Sequence, residues 1–212
     1  IELTGLLDMN FIGNKIDDFN GFAKFFNGKL KRQNNSVSFD SLVLQSNFVK
    51  NKKRITLLND AIQASIDGNF DINHLPASIQ YFMQAYLPTY IPAPKNTPAN
   101  QQFDLSIKTN YIEPYIRIFN EDFSGFNNLK ISGALNTDKK FINAKASIPF
   151  IQWKKYNIKN GIVTGVGNKD SIQVNFNAQY VQLNDSLALD QPALSIATKN
   201  DVSKLVLDAT SK

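Results

Sequence analysis

Residues 170–180 have the sequence DSIQVNFNAQY, which contains the clearest alternation of apolar and polar residues in the chain. Its apolar residues, from Ile172 to Tyr180, fall at every second position, with Gln or Asn between them. A strict period of two predicts a β-strand with one buried face and one solvated face. Such a strand is typical of an antiparallel sheet, because both faces of a parallel sheet are usually covered.

The same alternation runs through most of the 212 residues. Short polar turns such as Gly167-Asn168-Lys169 separate the alternating segments, and this predicts that each strand pairs with its neighbour in antiparallel fashion. The clearest of these segments are residues 1–11, 62–70, 103–111, 129–135, 142–148, 172–180, 194–196 and 205–207. The sequence therefore predicts a mostly β protein built on one long antiparallel sheet.

Residues 75–87 depart from this period. Apolar residues from Leu75 to Leu87 recur there at helical spacing, and Pro76 stands where a first helical turn accepts proline. We therefore expect one amphipathic helix near 75–87. Its apolar stripe has two interpretations: it packs on the apolar face of the sheet, or it acts as a movable plug or a partner-binding helix.

Four prolines follow the helix, at Pro88, Pro92, Pro94 and Pro98, and predict an extended connector to about residue 102. The chain then divides into a first strand block (1–73), a helix with its connector (74–102) and a second strand block (103–212). Because Ile1 already lies in a strand pattern, we expect a single curled-sheet fragment of a larger protein.

A phrase of the form Asp-Ser-(Leu/Ile)-x-(Leu/Val) occurs three times, beginning at Asp40, Asp170 and Asp185. Short side chains of this kind favour turns because they bond to nearby backbone amides. We therefore expect all three aspartates to set turns at strand entries. A recurring strand unit is typical of proteins with long surfaces rather than compact active sites, which directs attention to a groove.

The composition excludes several classes of site. The chain has no cysteine and one histidine, His74, so zinc sites of the Cys or His type are excluded and no metal or cofactor is expected. The net charge is +5, and its densest basic cluster is Lys50–Arg54. Two alternating segments flank this cluster, so it predicts a solvated hairpin tip rather than a nucleic-acid interface.

Catalytic motifs are also missing from the sequence. The carboxylate pairs Asp17-Asp18 and Glu121-Asp122 are adjacent in sequence, whereas glycosidases need two carboxylates that face each other. The glycines of 161–167 precede a strand pattern without a Gly-Lys-Ser/Thr motif, so they predict bulges or close approach of neighbouring chain rather than a phosphate loop. We therefore expect a protein that is not an enzyme.

Residues 59–72, NDAIQASIDGNFDI, are followed by Leu75-Pro76 and by Tyr86-Leu87-Pro88. Together with the Asp-Ser phrases and with Lys199-Asn200-Asp201 ahead of Leu205-Val206-Leu207, these residues resemble the large TamB-like proteins of Bacteroidota. That family is the translocation and assembly module within the wider AsmA-like group. The resemblance spans most of the chain through diffuse patterns and contains no catalytic signature.

The resemblance implies a long β-sheet curled into a trough, the β-taco, with an apolar interior. It also implies a periplasmic protein of a Gram-negative bacterium that is anchored in the inner membrane. The implied role is to carry phospholipid to the outer membrane and to support outer-membrane protein assembly. An outer-membrane barrel protein would be the partner, bound through parts of the full-length chain that have no counterpart here.

An antiparallel sheet with one apolar face must cover that face with a second sheet, a helix or acyl chains. If phospholipid acyl chains cover it, the groove is expected to be lined by apolar residues of the alternating strands: Ile62, Ala64, Ile66, Leu105, Ile107, Leu129, Ile131, Ile172, Val174 and Phe176. One alternative is a structural or adhesive sandwich or solenoid with a closed core. Another is a carbohydrate-binding sandwich, for which Trp153, Tyr115 and Tyr156 are the candidate aromatics.

Overall fold

The computed structural model describes residues 1–96 and 100–211 and is mostly β, as predicted. Within these described ranges, fourteen strands form one antiparallel sheet. They are β1 (Glu2–Ile12), β2 (Asn20–Arg32), β3 (Asn35–Val49), β4 (Lys52–Leu58), β5 (Ile62–Asn69), β6 (Gln102–Thr109), β7 (Phe123–Gly125), β8 (Lys130–Asn136), β9 (Phe141–Trp153), β10 (Tyr156–Gly167), β11 (Ile172–Asn177), β12 (Tyr180–Gln182), β13 (Ala188–Lys199) and β14 (Val202–Ser211).

The order of strands across the sheet follows the chain closely. The longer strands pair in the order β1-β2-β3-β4-β5-β6-β8-β9-β10-β11-β13-β14, and the two short strands β7 and β12 add to the ends of β9 and β10. In the part of the chain that the structure describes, β1 pairs only with β2 and β14 pairs only with β13. The sheet is therefore open at both edges.

The predicted helix is confirmed as α1, which spans Leu75–Tyr86 with Pro76 in its first turn. A second helix, α2 (Glu113–Phe119), was not predicted, and it also has a proline, Pro114, in its first turn. Both helices lie in connections beside β6: α1 joins β5 to β6, and α2 lies between β6 and β7. Of the connector prolines, Pro98 lies outside the described residues.

The structure corrects one of the three Asp-Ser phrases. Asp170 and Asp185 precede β11 and β13, as predicted, but Asp40 lies inside β3. The prediction that Asp40 sets a turn was therefore wrong. Asp40 lies opposite Asn27, whose φ of 47° interrupts the regular strand geometry of β2, so this phrase marks an irregularity within a hairpin rather than its start.

At the other two phrases, the turn is held by an asparagine that lies two residues before Asp170 and one residue before Asp185. The Asn168 Oδ1 atom accepts hydrogen bonds from the backbone N–H of Asp170, at 2.8 Å, and of Ser171, at 3.1 Å. Asn184 makes the equivalent pair of bonds, at 2.8 and 2.9 Å, to the two residues that follow Asp185. Both turns are thus Asx turns in which asparagine is the acceptor.

Candidate functional site

The apolar residues of successive strands line up across the sheet. Opposite residues of paired strands point to the same face, so the pairing register defines rows that run across all twelve longer strands. One row passes through Ile66, Leu105 and Val174, and the next through Ala64, Ile107, Ile131 and Phe176. With about 4.8 Å between strands, each row is roughly 50 Å long. We call the surface that contains these rows the apolar face.

The remaining predicted groove residues lie beside these rows. Ile62 opposes Thr109, two positions beyond Ala64 along β5, and Ile172 opposes Thr198, two positions from Val174 along β11. Leu129 directly precedes β8, where its carbonyl oxygen accepts a hydrogen bond from the Thr109 amide at 2.9 Å. The alternation and the pairing register therefore bring the predicted residues together on one surface.

This face is only partly covered by protein. All ten predicted groove residues are half-buried, and nine apolar residues in the described chain are buried. The solvent-accessible surface is 13245 Å². A compact monomer of 23.8 kDa would expose about 9,900 Å². The excess of about one third is what an open sheet with an uncovered apolar face would produce.

Helix α1 lies on the apolar face, near one end of the strands. Phe82 and Tyr86 of α1 form a buried cluster with Leu135, and Phe103 and Ile142 pack against it. This placement agrees with the interpretation that the helix packs on the sheet; whether it moves as a plug stays an open prediction. The rows through Ile66 and Ile107 run alongside the strip that α1 covers.

Tyr86 fixes α1 to the sheet. Its side chain is fully buried, and its hydroxyl donates a hydrogen bond of 2.7 Å to the carbonyl oxygen of Asn168. Burial raises the pKa of Tyr86 to about 12, so the phenol stays a donor at neutral pH. At Gly167 an added Cβ would lie 2.5 Å from the Tyr86 hydroxyl oxygen. Gly167 therefore leaves room for the Tyr86 side chain. The close approach predicted for this glycine is thus to a side chain rather than to a neighbouring backbone.

Helix α2 lies near the opposite end of the strands. The Tyr115 ring is 6.3 Å from the Phe39 ring, which is 6.0 Å from Phe25 on the apolar face. Arg32 Nη1 donates to the Ile118 carbonyl oxygen at 3.3 Å. Through these contacts α2 joins the β2–β3 hairpin to the middle of the sheet.

The apolar face continues past an irregularity at Asn160, whose φ is 50°. A Cβ added at the next residue, Gly161, would lie 3.0 Å from Ile158 Cγ2 and 3.4 Å from Phe176 Cε2. Ile158 thus shares the face of Phe176 although it is three residues from Gly161. The alternation changes phase at this point although the pairing of β9 with β10 keeps its register on both sides of Asn160, and the apolar residues stay on the same side.

Beyond this phase change, the face ends in an aromatic ladder at the β9–β10 hairpin. Trp153 stacks between Phe123, at 5.9 Å, and Tyr156, at 5.7 Å. Tyr156 is two residues from Ile158, so the ladder extends the apolar face. The carbohydrate interpretation requires exposed aromatics on the solvated face. Trp153 and Tyr156 are exposed, at 42% and 43%, but they lie on the apolar face, and Tyr115 lies on α2.

An open apolar cavity of about 520 Å³ lies on this face at its β1–β5 end. Its floor comes from the rows across β1–β5, and its side is formed by the segments around Phe19 and from Phe70 to Leu75. The cavity is lined by Phe11, Phe19, Ala23, Leu44, Ser46, Ile55, Ile66, Phe70, Ile72 and Leu75. Of the predicted groove residues, Ile66 lines it.

An ion pair between a buried lysine, Lys53, and a half-buried aspartate, Asp17, lies at the margin of this cavity. Lys53 Nζ donates to the Asp17 carbonyl oxygen at 2.6 Å and lies 3.4 Å from Asp17 Oδ1. Lys53 is 3% exposed, so the expectation of a solvated tip was wrong for this residue. The turn itself, at Lys50 and Asn51, is as predicted, with φ of 49° and 62°.

Asp17 also holds the segment that leads into α1. Its Oδ1 atom accepts from the Ile72 amide at 2.7 Å, and its Oδ2 atom accepts from Asn73 Nδ2 at 3.0 Å. Burial would raise the pKa of Asp17, but the bond from Ile72, the Asp71 side chain and the charge of Lys53 outweigh it and hold the pKa below its usual value. Asp17 therefore links this segment to Lys53.

The sequence interpretation missed this pair. Lys53 alternates with Ile55 and Leu57 and so falls on the apolar side of β4. That position was the available signal, because a lysine in an apolar alternation must find a partner when it is buried. The other carboxylate pair, Glu121-Asp122, lies in a turn, and Asp122 is 3.8 Å from Lys154.

No group of three or more His, Asp or Glu side chains in residues 1–96 and 100–211 is placed to hold a metal ion. Within the same ranges, no helix combines the length and the apolarity needed to cross a membrane. His74 lies beside the start of α1, with its Nδ1 atom 3.1 Å from Asp71 Oδ2. Comparison with protein-family models, curated proteins and solved structures found no significant match to this chain.

Proposed function

We propose that the apolar face is a trough that binds the acyl chains of phospholipid and guides them across the strands. The observation that supports this most directly is the continuous apolar surface, roughly 50 Å long, whose residues are half-buried or exposed along an open sheet. The role needs no catalytic group, since transport along an apolar surface breaks no bond.

The contacts of α1 support a curled sheet. Ten inter-strand intervals separate β1 from β13, which amounts to about 48 Å along the sheet. Leu75, at the start of α1, lines the same cavity as Phe11 of β1, and the Tyr86 carbonyl at its end accepts from the Asp201 amide in the β13–β14 turn. Twelve helical residues cover only about 18 Å. The helix thus connects, over about 18 Å, two parts of the sheet that lie about 48 Å apart when measured along the sheet. This difference favours a bent, trough-like sheet.

Most of the binding energy of such a trough would come from hydrocarbon. Each methylene that leaves water contributes about 0.8 kcal/mol, so even half of a long acyl chain supplies several kcal/mol without a specific polar contact. Both edge strands present apolar residues to solvent, including Met9 at 58% exposure on β1 and Leu207 at 56% on β14. They belong to the row that contains Ile107, so the apolar path stays accessible at either edge.

The resemblance to TamB-like proteins extends this proposal. On that basis, the chain is a non-catalytic segment of a periplasmic, inner-membrane-anchored protein that carries phospholipid towards the outer membrane and supports outer-membrane protein assembly. The proposed barrel partner would contact other parts of the full-length protein. The apolar face and the open edges agree with such a segment, and the closed-core structural or adhesive module is the competing proposal.

The test is lipid retention by the purified protein. Organic extraction followed by mass spectrometry should recover phospholipid from the wild-type chain. Val174→Asp, which places a charge on the apolar face, should reduce the recovered lipid several-fold, whereas Gln173→Asp on the opposite face of β11 should not. Circular dichroism of both variants checks that the sheet remains folded.

The absence of retained lipid in the wild type, together with failure to bind added lysophospholipid, would favour the closed-core alternative. Equal lipid recovery from Val174→Asp and Gln173→Asp would also contradict the proposal, because the apolar face would then have no special part in binding.

A further inference from the structure

The pair of Lys53 and Asp17 places a cation beside the apolar cavity. The Lys53 ammonium lies 5.7 Å from the centroid of the Phe70 ring, and Phe70 lines the cavity. Ile72, another lining residue, donates its amide hydrogen to Asp17. A cation at the margin of an otherwise apolar cavity is complementary to an acid group attached to a hydrocarbon chain.

Asp17 occupies the position that such an acid group would need. It belongs to a single 3-10 turn, Ile16–Asp18, whose N-terminus has no side-chain cap. The Asp17 side chain is 22% exposed, whereas that of Lys53 is 4% exposed, so the carboxylate lies on the solvent side of the pair. An incoming anion that replaced Asp17 would keep Lys53 paired, as burial of an ammonium requires.

We propose that Lys53 binds the phosphodiester group of a phospholipid whose acyl chain fills the adjacent cavity, and that Asp17 competes with the phosphodiester for Lys53. This inference rests on the proposed function and deepens it, because it assigns the headgroup a fixed position at the β1–β5 end of the trough. The site would recognise the phosphodiester group that glycerophospholipids share rather than a particular headgroup.

The experiment compares two probes with the same acyl chain. Palmitoyl-lysophosphatidylglycerol contains the phosphodiester and monopalmitoylglycerol lacks it, and both are titrated below the concentration at which they form micelles. Because hydrogen bonds to charged groups are the stronger ones, we expect the wild-type chain to bind the phosphodiester probe at least about tenfold more tightly. Lys53→Gln should remove that difference and leave the affinity for monopalmitoylglycerol unchanged.

Asp17→Asn provides a second test that leaves Lys53 in place. Removing the competing negative charge should tighten binding of the phosphodiester probe several-fold and leave binding of monopalmitoylglycerol unchanged. Lys52→Gln is the matched control, because Lys52 is exposed on the adjacent position of β4. If Lys53→Gln does not fold, Asp17→Asn decides the question: unchanged or weaker binding of the phosphodiester probe would overturn the inference.

The remaining outcomes separate this inference from the proposed function. Equal affinity of the wild type for the two probes would overturn the role of Lys53 while leaving a trough for acyl chains. Failure of both probes to bind would contradict the proposed function itself. Binding of inorganic phosphate as tightly as the phosphodiester probe would identify a simple anion site and would also overturn the inference.

Discussion

The hydroxyl of Tyr86 donates a hydrogen bond to the carbonyl oxygen of Asn168, 82 residues along the chain, at a distance of 2.7 Å. This bond joins the end of α1 to the turn between β10 and β11. The same turn is held by the Asn168 side chain, which accepts from the Asp170 amide. Asn168 thus binds α1 through its backbone carbonyl and fixes the turn before β11 through its side chain.

Replacement of Tyr86 by Phe should lower the free energy of unfolding by about 1–3 kcal/mol, because the Asn168 carbonyl would lose a buried partner. Chemical denaturation measures the change. Tyr81→Phe, on the same helix, is the control and should change stability by less than about 0.5 kcal/mol. Equal effects of the two substitutions would show that the bond to Asn168 contributes nothing.

The two Asx turns predict an unequal effect of neighbouring substitutions. Asn168→Ala removes the acceptor of two backbone bonds and should cost about 1–2 kcal/mol, and Asn184→Ala should behave alike. Asp170→Ala should stay within about 0.5 kcal/mol. Thermal or urea unfolding measures these changes in stability. A larger loss of stability from Asp170→Ala than from Asn168→Ala would show that the aspartate sets the turn.

The pH dependence of stability should contain an acid limb that depends on Asp17. The pKa of Asp17 in the folded chain lies below its usual value of 3.8, so its ionised form favours folding. That contribution is present above pH 3.8 and is lost as the pH falls through the lowered pKa. Asp17→Asn should therefore flatten the stability profile below about pH 4. A profile that keeps its slope in the variant would contradict the assigned role of the pair with Lys53.

The strands could be predicted from the sequence because a period of two is a local property that each segment displays by itself. The register that aligns Ile66 with Leu105 and Val174 follows from the short turns and from the need to keep one face apolar. Helix α1 was predictable because twelve residues display more than three turns of apolar stripe, whereas the seven residues of α2 display fewer than two.

The features that escaped prediction depend on contacts between distant segments. Asp17 and Lys53 are 36 residues apart, and the sequence around each residue does not identify the other as its partner. The phase change at Asn160 places Tyr156, and Trp153 opposite it, on the apolar face, because one residue in the left-handed region breaks the alternation between the residues on its two sides. The Asp-Ser phrases misled at Asp40 because the asparagine that makes the other two turns has no counterpart there.

The most direct test of the acyl-chain trough is site-specific photocrosslinking in membranes that contain phospholipid. A photoreactive residue placed at Ile107 or Val174, on the apolar face, should capture phospholipid that mass spectrometry identifies. The same residue at Lys108 or Gln173, on the opposite face of the same strands, should capture several-fold less. Equal capture from the two faces, or capture from neither, would contradict the account.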